Sequence, residues 1–388
     1  MKLSVNTRVA LQQLERLGLK SAEHWIAEQT PDGIALHRAV GDVQRVYLEV
    51  TTCCNLRCVN CVRNAWDETT GHMSHETFDR IIKDLQAFPK LQEIHFGGFG
   101  EPLMHPRIVE MVEQVKSLGV KATLTTNGTL LDEEKTIALV NARLDKLFVS
   151  IDSVQAELFR EIRPGAELDA VVENLKRVQA LRSQRRSLVP TIALEFVVTK
   201  QNWKEVEELP ALGRALGASW VLVTHLLPHT QALADQIMYG GEIIELPKPA
   251  GWPVPVSDFL QWGILSAPRS KWGAARRCRF VEGKGFVIKW DGDVSPCYAL
   301  MHSYPYFIFG RRKYVTRYVV GNVNRTSLTD VWTNEEFVLF RAKVSCFRFP
   351  SCVDCGLDCD YAQQNEDCWG NVPSCADCLW AQGIVQCP

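Results

Sequence analysis

The stretch Cys54-Asn55-Leu56-Arg57-Cys58-Val59-Asn60-Cys61 carries three thiols in C-x3-C-x2-C spacing. Thiolates placed this closely suit three corners of an iron–sulfur cube. The fourth iron then has no protein ligand, and an open position marks a catalytic metal site rather than a structural one. A small molecule bearing an amine and a carboxylate would chelate that iron. Cys53 lies outside the spacing and reads as a bystander. Ten further cysteines follow a long gap: Cys278, Cys297, Cys346, Cys352, Cys355, Cys359, Cys368, Cys375, Cys378 and Cys387. Core cysteines scattered for packing alone would not segregate this way, and in a reducing compartment such clusters ligate metal more often than they form disulfides. Two four-iron cubes with full cysteine ligation need about eight thiolates. Structural zinc on the paired C-x2-C motifs is the competing reading of this region.

The elements around these cysteines follow a simple rhythm. Apolar, β-branched stretches at Val46–Thr51, Glu93–Phe96, Lys121–Thr126, Leu147–Ile151, Thr191–Val198 and Trp220–Thr224 read as strands. Helical periods at Phe78–Phe88, Arg107–Leu118, Glu133–Ala142, Leu168–Leu181 and Trp203–Leu216 separate them. Six βα units imply a parallel sheet with helices outside, and six suit a partial (β/α)6 barrel better than a closed eight-unit one. Sites in such sheets lie at the C-terminal ends of the strands, and the first cysteine loop follows the first strand directly. The expected division is an N-terminal extension (1–44), a core (45–228), a connecting segment (229–275) and a small cysteine-rich domain (276–388). The extension reads as a helix over Thr7–Leu17 and a hairpin with arms at 33–36 and 43–46. The cysteine-rich domain, poor in periodicity, is expected to be organised by metal rather than by apolar packing.

Composition narrows the classes. With 46% hydrophobic and 23% charged residues, the 388-residue chain has the balance of a globular protein. Its net charge of -2 makes no case for a nucleic-acid or membrane surface. It holds no uninterrupted apolar run of about 18 residues. The first residues lack the apolar core of a signal peptide, so a cytoplasmic address is expected.

The cysteine loop, in this spacing directly after strand one, resembles the signature of the radical S-adenosylmethionine (SAM) superfamily. The second strand runs into Gly97-Gly98-Phe99-Gly100-Glu101-Pro102, which is similar to the GGxGEP stretch that in this family holds the amino group of SAM. The resemblance implies that Gly97, Gly98, Gly100 and Glu101 cradle SAM. It also implies that Ser150 and Arg163 meet its carboxylate and that Asn127, at the end of strand three, faces the same cavity. Asn60 departs from the aromatic residue the family often places before its third cysteine. The C-terminal cysteines, beginning with C-x13-G-x4-C from Cys278 to Cys297, resemble the SPASM extension, which carries two auxiliary [4Fe–4S] clusters. The later spacing differs from the usual one, so cluster number is clearer than ligand assignment. Trp369 and Trp380 are expected beside these clusters. The tail from Pro373, with Cys61–Trp66, resembles the maturases of tungsten-cofactor oxidoreductases.

The resemblance implies a catalytic cluster on Cys54, Cys58 and Cys61 that cleaves SAM reductively, and a resulting 5′-deoxyadenosyl radical that takes hydrogen from a substrate. A reductant such as ferredoxin or flavodoxin is implied, as is a protein or peptide substrate, with a tungsten oxidoreductase favoured by the tail. Two alternatives stand beside this. One is a maturase of ribosomal peptides or sulfatases, although Tyr298 replaces the aspartate that sulfatase-maturing relatives carry after the cysteine matching Cys297. The other is a non-catalytic electron carrier or zinc module, which would have no need of the glycine-rich cradle.

Overall fold

A computed structural model describes residues 25–30, 33–66, 68–246, 264–266, 268–273, 275–355, 359 and 363–387. The helix expected over Thr7–Leu17 and the stretch 247–263 of the connecting segment lie outside these residues. A ten-stranded sheet runs in the order β14-β11-β10-β3-β4-β5-β6-β7-β8-β9. Its centre is the expected run of strands: β3 (Arg45–Leu48), β4 (Glu93–Phe96), β5 (Lys121–Thr126), β6 (Lys146–Ser150), β7 (Thr191–Val198) and β8 (Ala218–His225). All five pairings among them are parallel. The sheet has two edges, β9 (Ile264–Ser266) and β14 (Gly321–Asn322), so it stays open as a partial barrel does.

The helices between strands are α1 (His75–Leu85), α2 (Ile108–Ser117), α3 (Glu133–Asn141), α4 (Ala156–Ile162), α5 (Leu168–Gln184) and α6 (Leu209–Ala215). Each starts or packs for a local reason. Ser74 caps α1 by accepting from the Thr77 amide, and Phe78, Ile81 and Leu85 then fall on its buried face. Asp132 caps α3 in the same way through the Lys135 amide. Strand interiors such as Val46, Leu48, Ile94, Phe96, Leu124 and Phe196 are fully buried, as a sheet covered on both faces requires.

Three features differ from the expectations. The N-terminal hairpin pairs β1 (Trp25–Thr30) with β2 (Gly33–Arg38), and 43–46 instead leads into β3. The connecting segment supplies β9, which pairs parallel with β8. The cysteine-rich region contributes β10 (Gly285–Ile288), β11 (Asp293–Ser295) and β14 to the same sheet, with β10 parallel beside β3. It also extends the apolar core of the sheet. The hairpin β12 (Tyr304–Ile308) and β13 (Arg311–Val315) packs there, with helices α7 (Leu328–Thr333) and α8 (Glu335–Ser345). Tyr304, Leu328, Trp332 and Phe337 are buried in this core. Its strands and helices are short and broken by glycines and cysteines, so no apolar period is long enough to read. Among the described residues no helix is long and apolar enough to cross a membrane.

Candidate functional site

The chain leaves β3 through Thr51 and Thr52, whose hydroxyls exchange hydrogen bonds of 2.9 Å with the Gly71 backbone. The cysteine loop that follows is held in shape by its own backbone. The Cys61 amide donates to the Cys58 carbonyl at 3.1 Å, and the Val59 amide to the Ile162 carbonyl at 2.9 Å. Arg63 donates to the Leu56 carbonyl at 2.7 Å and Asn64 to the Cys58 carbonyl at 2.8 Å. Burial pushes the Cys54 thiol up and the Cys58 thiol to about 11. Sulfurs in such surroundings ionise when a metal cation replaces the lost solvation, so the donor set fits iron. Among the described residues no three His, Cys, Asp or Glu side chains stand at the spacing that ligates one ion. A four-iron cube binds each thiolate to a different iron and holds its ligands farther apart than one ion does.

The glycine-rich turn after β4 packs against this loop. A Cβ on Gly100 would stand 2.1 Å from the Thr51 carbonyl oxygen, so only glycine lets the two backbones approach. Gly98 adopts φ +109°, and a Cβ there would meet the Glu49 side chain. Glu101 is buried and accepts from Thr126 Oγ1 at 2.7 Å, the Asn127 amide at 2.7 Å and the Leu103 amide at 3.0 Å. Its oxygens thus tie the turn to the end of β5, and Asn127 reaches back to Asn55 Oδ1 at 2.9 Å. Arg163, at the C-terminal end of α4, is buried and donates to Oδ2 of Asp152, just past β6, through Nε at 3.0 Å and Nη2 at 2.8 Å. Asn60 donates to the same oxygen at 3.1 Å. The residue in place of the expected aromatic therefore anchors the cysteine loop to the end of β6. Ser150 donates to Glu195 at 3.3 Å, and burial raises the Glu195 carboxyl to about 7.

Beside these groups lies a cavity of about 220 Å³, whose lining includes Ser150 but not Gly97, Gly100, Glu101, Asn127 or Arg163, so the expectation that Asn127 faces it is not met. Cys61, Gly98, Phe99, Ser150, Asp152 and Glu195 line it on the side of the cysteine loop and cradle. His225, Tyr298, Trp380, Val385, Gln386 and Cys387 close it from β8 and the C-terminal region. The tail is fastened there by the Gln386 amide, which donates to Thr224 Oγ1 at 2.8 Å.

A charged cluster that sequence reasoning missed joins the two regions. Glu49 Oε1 accepts from the Phe99 amide at 3.0 Å, and Glu49 Oε2 faces His302 Nε2 at 2.8 Å. His302 Nδ1 faces Glu68 Oε2 at 2.6 Å, and Lys289 donates to that oxygen at 3.2 Å. Carboxylates only accept, so His302 carries a proton on each ring nitrogen. Burial alone would lower its pKa, but Glu49 and Glu68 turn the net shift upward. Glu68, despite its burial, is held down at about 2 by His302. The one available signal was Glu49 itself, a charge inside the apolar run Val46–Thr51.

The C-terminal cysteines fall into two groups. Cys297, Cys375 and Cys378 line one small cavity, and Cys278 lies close enough to all three to interact electrostatically. Cys352, Cys355, Cys359 and Cys368 line a second cavity of about 160 Å³. Ser374 and Asp377 line both, so the two cavities share a wall. Lys313, buried, pairs with Asp377 at 2.5 Å. Burial pushes Cys352 and Cys378 to about 12, and Cys297 and Cys375 well above the ordinary thiol value. Two thiols stand outside both groups. Cys346 is exposed, and Cys387, which lines the 220 Å³ cavity, accepts from the Trp380 indole at 3.0 Å. Trp380 accordingly lies beside the cysteines, whereas Trp369 is 65% exposed, contrary to expectation, in the polar turn Asp367–Gly370.

Two family models match the chain. Residues 48–212 match the radical SAM superfamily and residues 278–360 match the SPASM iron–sulfur cluster-binding domain. The tungsten-containing aldehyde ferredoxin oxidoreductase cofactor-modifying protein of Pyrococcus furiosus is 40% identical over 351 residues, 88% of this chain and 96% of that protein. The PqqA peptide cyclase of Gluconobacter oxydans is 32% identical over 307 residues, 76% of this chain and 77% of that one. Streptococcus suis SuiB bound to S-adenosylmethionine shares the fold, with TM-score 0.56 and 15% identity over 92% of this chain and 77% of SuiB. The chain therefore belongs to the radical SAM superfamily, as a SAM- and [4Fe–4S]-dependent enzyme whose SPASM domain binds further iron–sulfur clusters.

Proposed function

We propose that this enzyme is a maturase of a tungsten-containing oxidoreductase, acting on that protein's polypeptide or on its pterin cofactor. The observation that carries the reading is the likeness to the Pyrococcus furiosus cofactor-modifying protein, which runs through nearly the whole of both chains. A peptide-modifying maturase is the second reading, supported by the likeness to a peptide cyclase. The proposal includes a ferredoxin- or flavodoxin-type reductant and a cytoplasmic setting, where thiols stay reduced. It assigns the chemistry at the SAM cradle to 45–228 and the auxiliary clusters to 276–388.

In this reading Cys54, Cys58 and Cys61 hold the catalytic cluster. The backbone of Gly97, Gly98 and Gly100 receives SAM, with Ser150, Arg163 and Asn127 at its polar end. A cluster and SAM held there would supply radical chemistry that takes hydrogen from a substrate. The chain's own residues do the rest. Asp152 neutralises Arg163 and fixes Asn60, and so holds the cysteine loop at the cavity mouth. Glu101 keeps the cradle at hydrogen-bond distance from β5. Walls such as Val197, Leu226 and Val385 keep water from the reacting centre. One auxiliary cluster is assigned to Cys278, Cys297, Cys375 and Cys378, the other to Cys352, Cys355, Cys359 and Cys368.

The test is anaerobic reconstitution followed by incubation with SAM, dithionite and a tungsten oxidoreductase. The reading expects about twelve irons per chain, falling to about eight when Cys54, Cys58 and Cys61 are all alanine. It also expects formation of 5′-deoxyadenosine that the oxidoreductase stimulates. Stimulation by unrelated ribosomal peptides and not by the oxidoreductase would favour the second reading.

A further inference from the structure

The glycine-rich cradle is tied down at both ends by backbone. The Gly97 amide donates to the Leu48 carbonyl at 3.0 Å, and the Glu101 amide to the Cys53 carbonyl at 2.8 Å. Between these anchors the turn is shaped around one side chain, Glu49. Gly98, at φ +109°, leaves the room it needs: a Cβ there would stand 2.6 Å from Glu49 Cγ. Glu49 Oε1 then accepts from the Phe99 amide at 3.0 Å. Gly98 and Phe99 line the 220 Å³ cavity, whereas Glu49 and His302 are not part of its lining.

What fixes Glu49 comes from the C-terminal region. Its amide donates to the Ile288 carbonyl of β10 at 2.9 Å, and its Oε2 accepts from His302 Nε2 at 2.8 Å. Both side chains are fully buried, so solvent offers no substitute for either bond. A carboxylate gripped on both oxygens has one orientation; gripped on one, it turns about its last bond. His302 is itself held, because Nδ1 meets Glu68 at 2.6 Å and the Trp66 ring packs on it at 3.9 Å. The same imidazole lies 5.8 Å from the Phe99 ring. One C-terminal residue thus meets both the acceptor of the Phe99 amide and the Phe99 side chain.

We infer that His302 is a positioning residue for SAM: acting through Glu49, it sets where Gly98 and Phe99 stand, and the C-terminal region thereby completes the SAM site from outside the cavity. The inference rests on the placing of SAM in the Gly97–Glu101 cradle, made above, and holds for either substrate of the proposed maturase. A binding group must be held to within about 0.5 Å by its supporting contacts. A Glu49 side chain free to turn would therefore release the middle of the cradle between its two backbone anchors.

The experiment uses the anaerobically reconstituted full chain and SAM itself, with binding followed by equilibrium dialysis. Iron content and stability in denaturant are measured on each protein. His302→Leu should weaken SAM about tenfold, the scale of one lost hydrogen bond to a charged group, with iron content unchanged. Glu49→Gln/His302→Leu lacks the stranded charge, so it keeps the measurement possible should the single variant fail to fold. It should regain stability without regaining SAM affinity. Glu68→Gln, on the far side of the cluster, should lose stability and bind SAM as the unaltered chain does. A merely structural role would instead move affinity and stability together across the three variants. Unchanged affinity in the His302 variants, or affinity that follows stability in all three, would overturn the inference and leave the cradle assignment intact. No binding by the unaltered chain, with its iron in place, would overturn the cradle assignment and this inference with it.

Discussion

Replacing His302 by leucine tests whether the buried charge cluster holds the two regions together. The substitution keeps a side chain of similar bulk and removes both donors. Glu49, fully buried, would then keep only the Phe99 amide as a partner. An uncompensated buried carboxylate costs about 3–5 kcal/mol when its partner is removed, a large share of the roughly 5–15 kcal/mol that holds a typical protein folded. The Glu49→Gln/His302→Leu double variant removes the stranded charge and should recover more than half of the loss. Trp66, whose ring lies 3.9 Å from that of His302, reports locally, so denaturant titration followed by tryptophan fluorescence is the assay. The pH dependence carries a definite sign. The His302 value is raised on folding, so its contribution is complete below about 6.5 and fades as pH rises through the raised value. Glu68 is held at about 2, so its contribution is present above 4.5 and fades as pH falls toward about 2. The advantage of the unaltered chain over the leucine variant should therefore peak between these limits. A loss below about 1 kcal/mol, or no recovery in the double variant, would refute the view that this is a compensated buried pair.

Other substitutions probe the site itself. Asp152→Asn strips the charge opposite Arg163, a pair exposed by only 1% and 8%, and should cost about 3 kcal/mol or more in the same titration. Gly100→Ala forces a Cβ to within 2.1 Å of the Thr51 carbonyl oxygen, so SAM binding measured by equilibrium dialysis should be lost even where iron loads. Changing Cys375 and Cys378 together to serine should remove about four irons per chain, and changing Cys355 and Cys368 together about four different ones. Cys346→Ser should leave the iron count unchanged, since that thiol is exposed and outside both groups.

Much of the core was legible because its signals are local and redundant. The strands from β4 to β7 lie within a residue of their expected bounds, since apolar, β-branched runs between helical periods have few other readings. The cysteine loop stood out by its spacing, and Gly97–Glu101 by its likeness to the stretch the family carries after its second strand. What could not be read depends on contacts between residues distant in sequence. Nothing local to Tyr298 or His225 announces a cavity. Nothing near His302 announces partners at Glu49 and Glu68. The pairing of Cys278 with Cys375 and Cys378 requires the chain to return across nearly a hundred positions. The C-terminal part of the core was hidden for another reason: strands as short as β11 and β14 carry too few residues to show a period.

The parallel pairing of β10 with β3 has a consequence for how the protein must be made. Val46 is opposite Phe286 and Leu48 opposite Ile288, so one flank of the strand that feeds the cysteine loop stays bare until the distant region has been synthesised. An unpaired strand flank with apolar side chains is a template for aggregation, and contacts this remote in sequence form slowly. Fragments ending before residue 285 should therefore be recovered as aggregates rather than as a smaller working enzyme. Anything that shields that flank during synthesis would raise the yield of the whole chain.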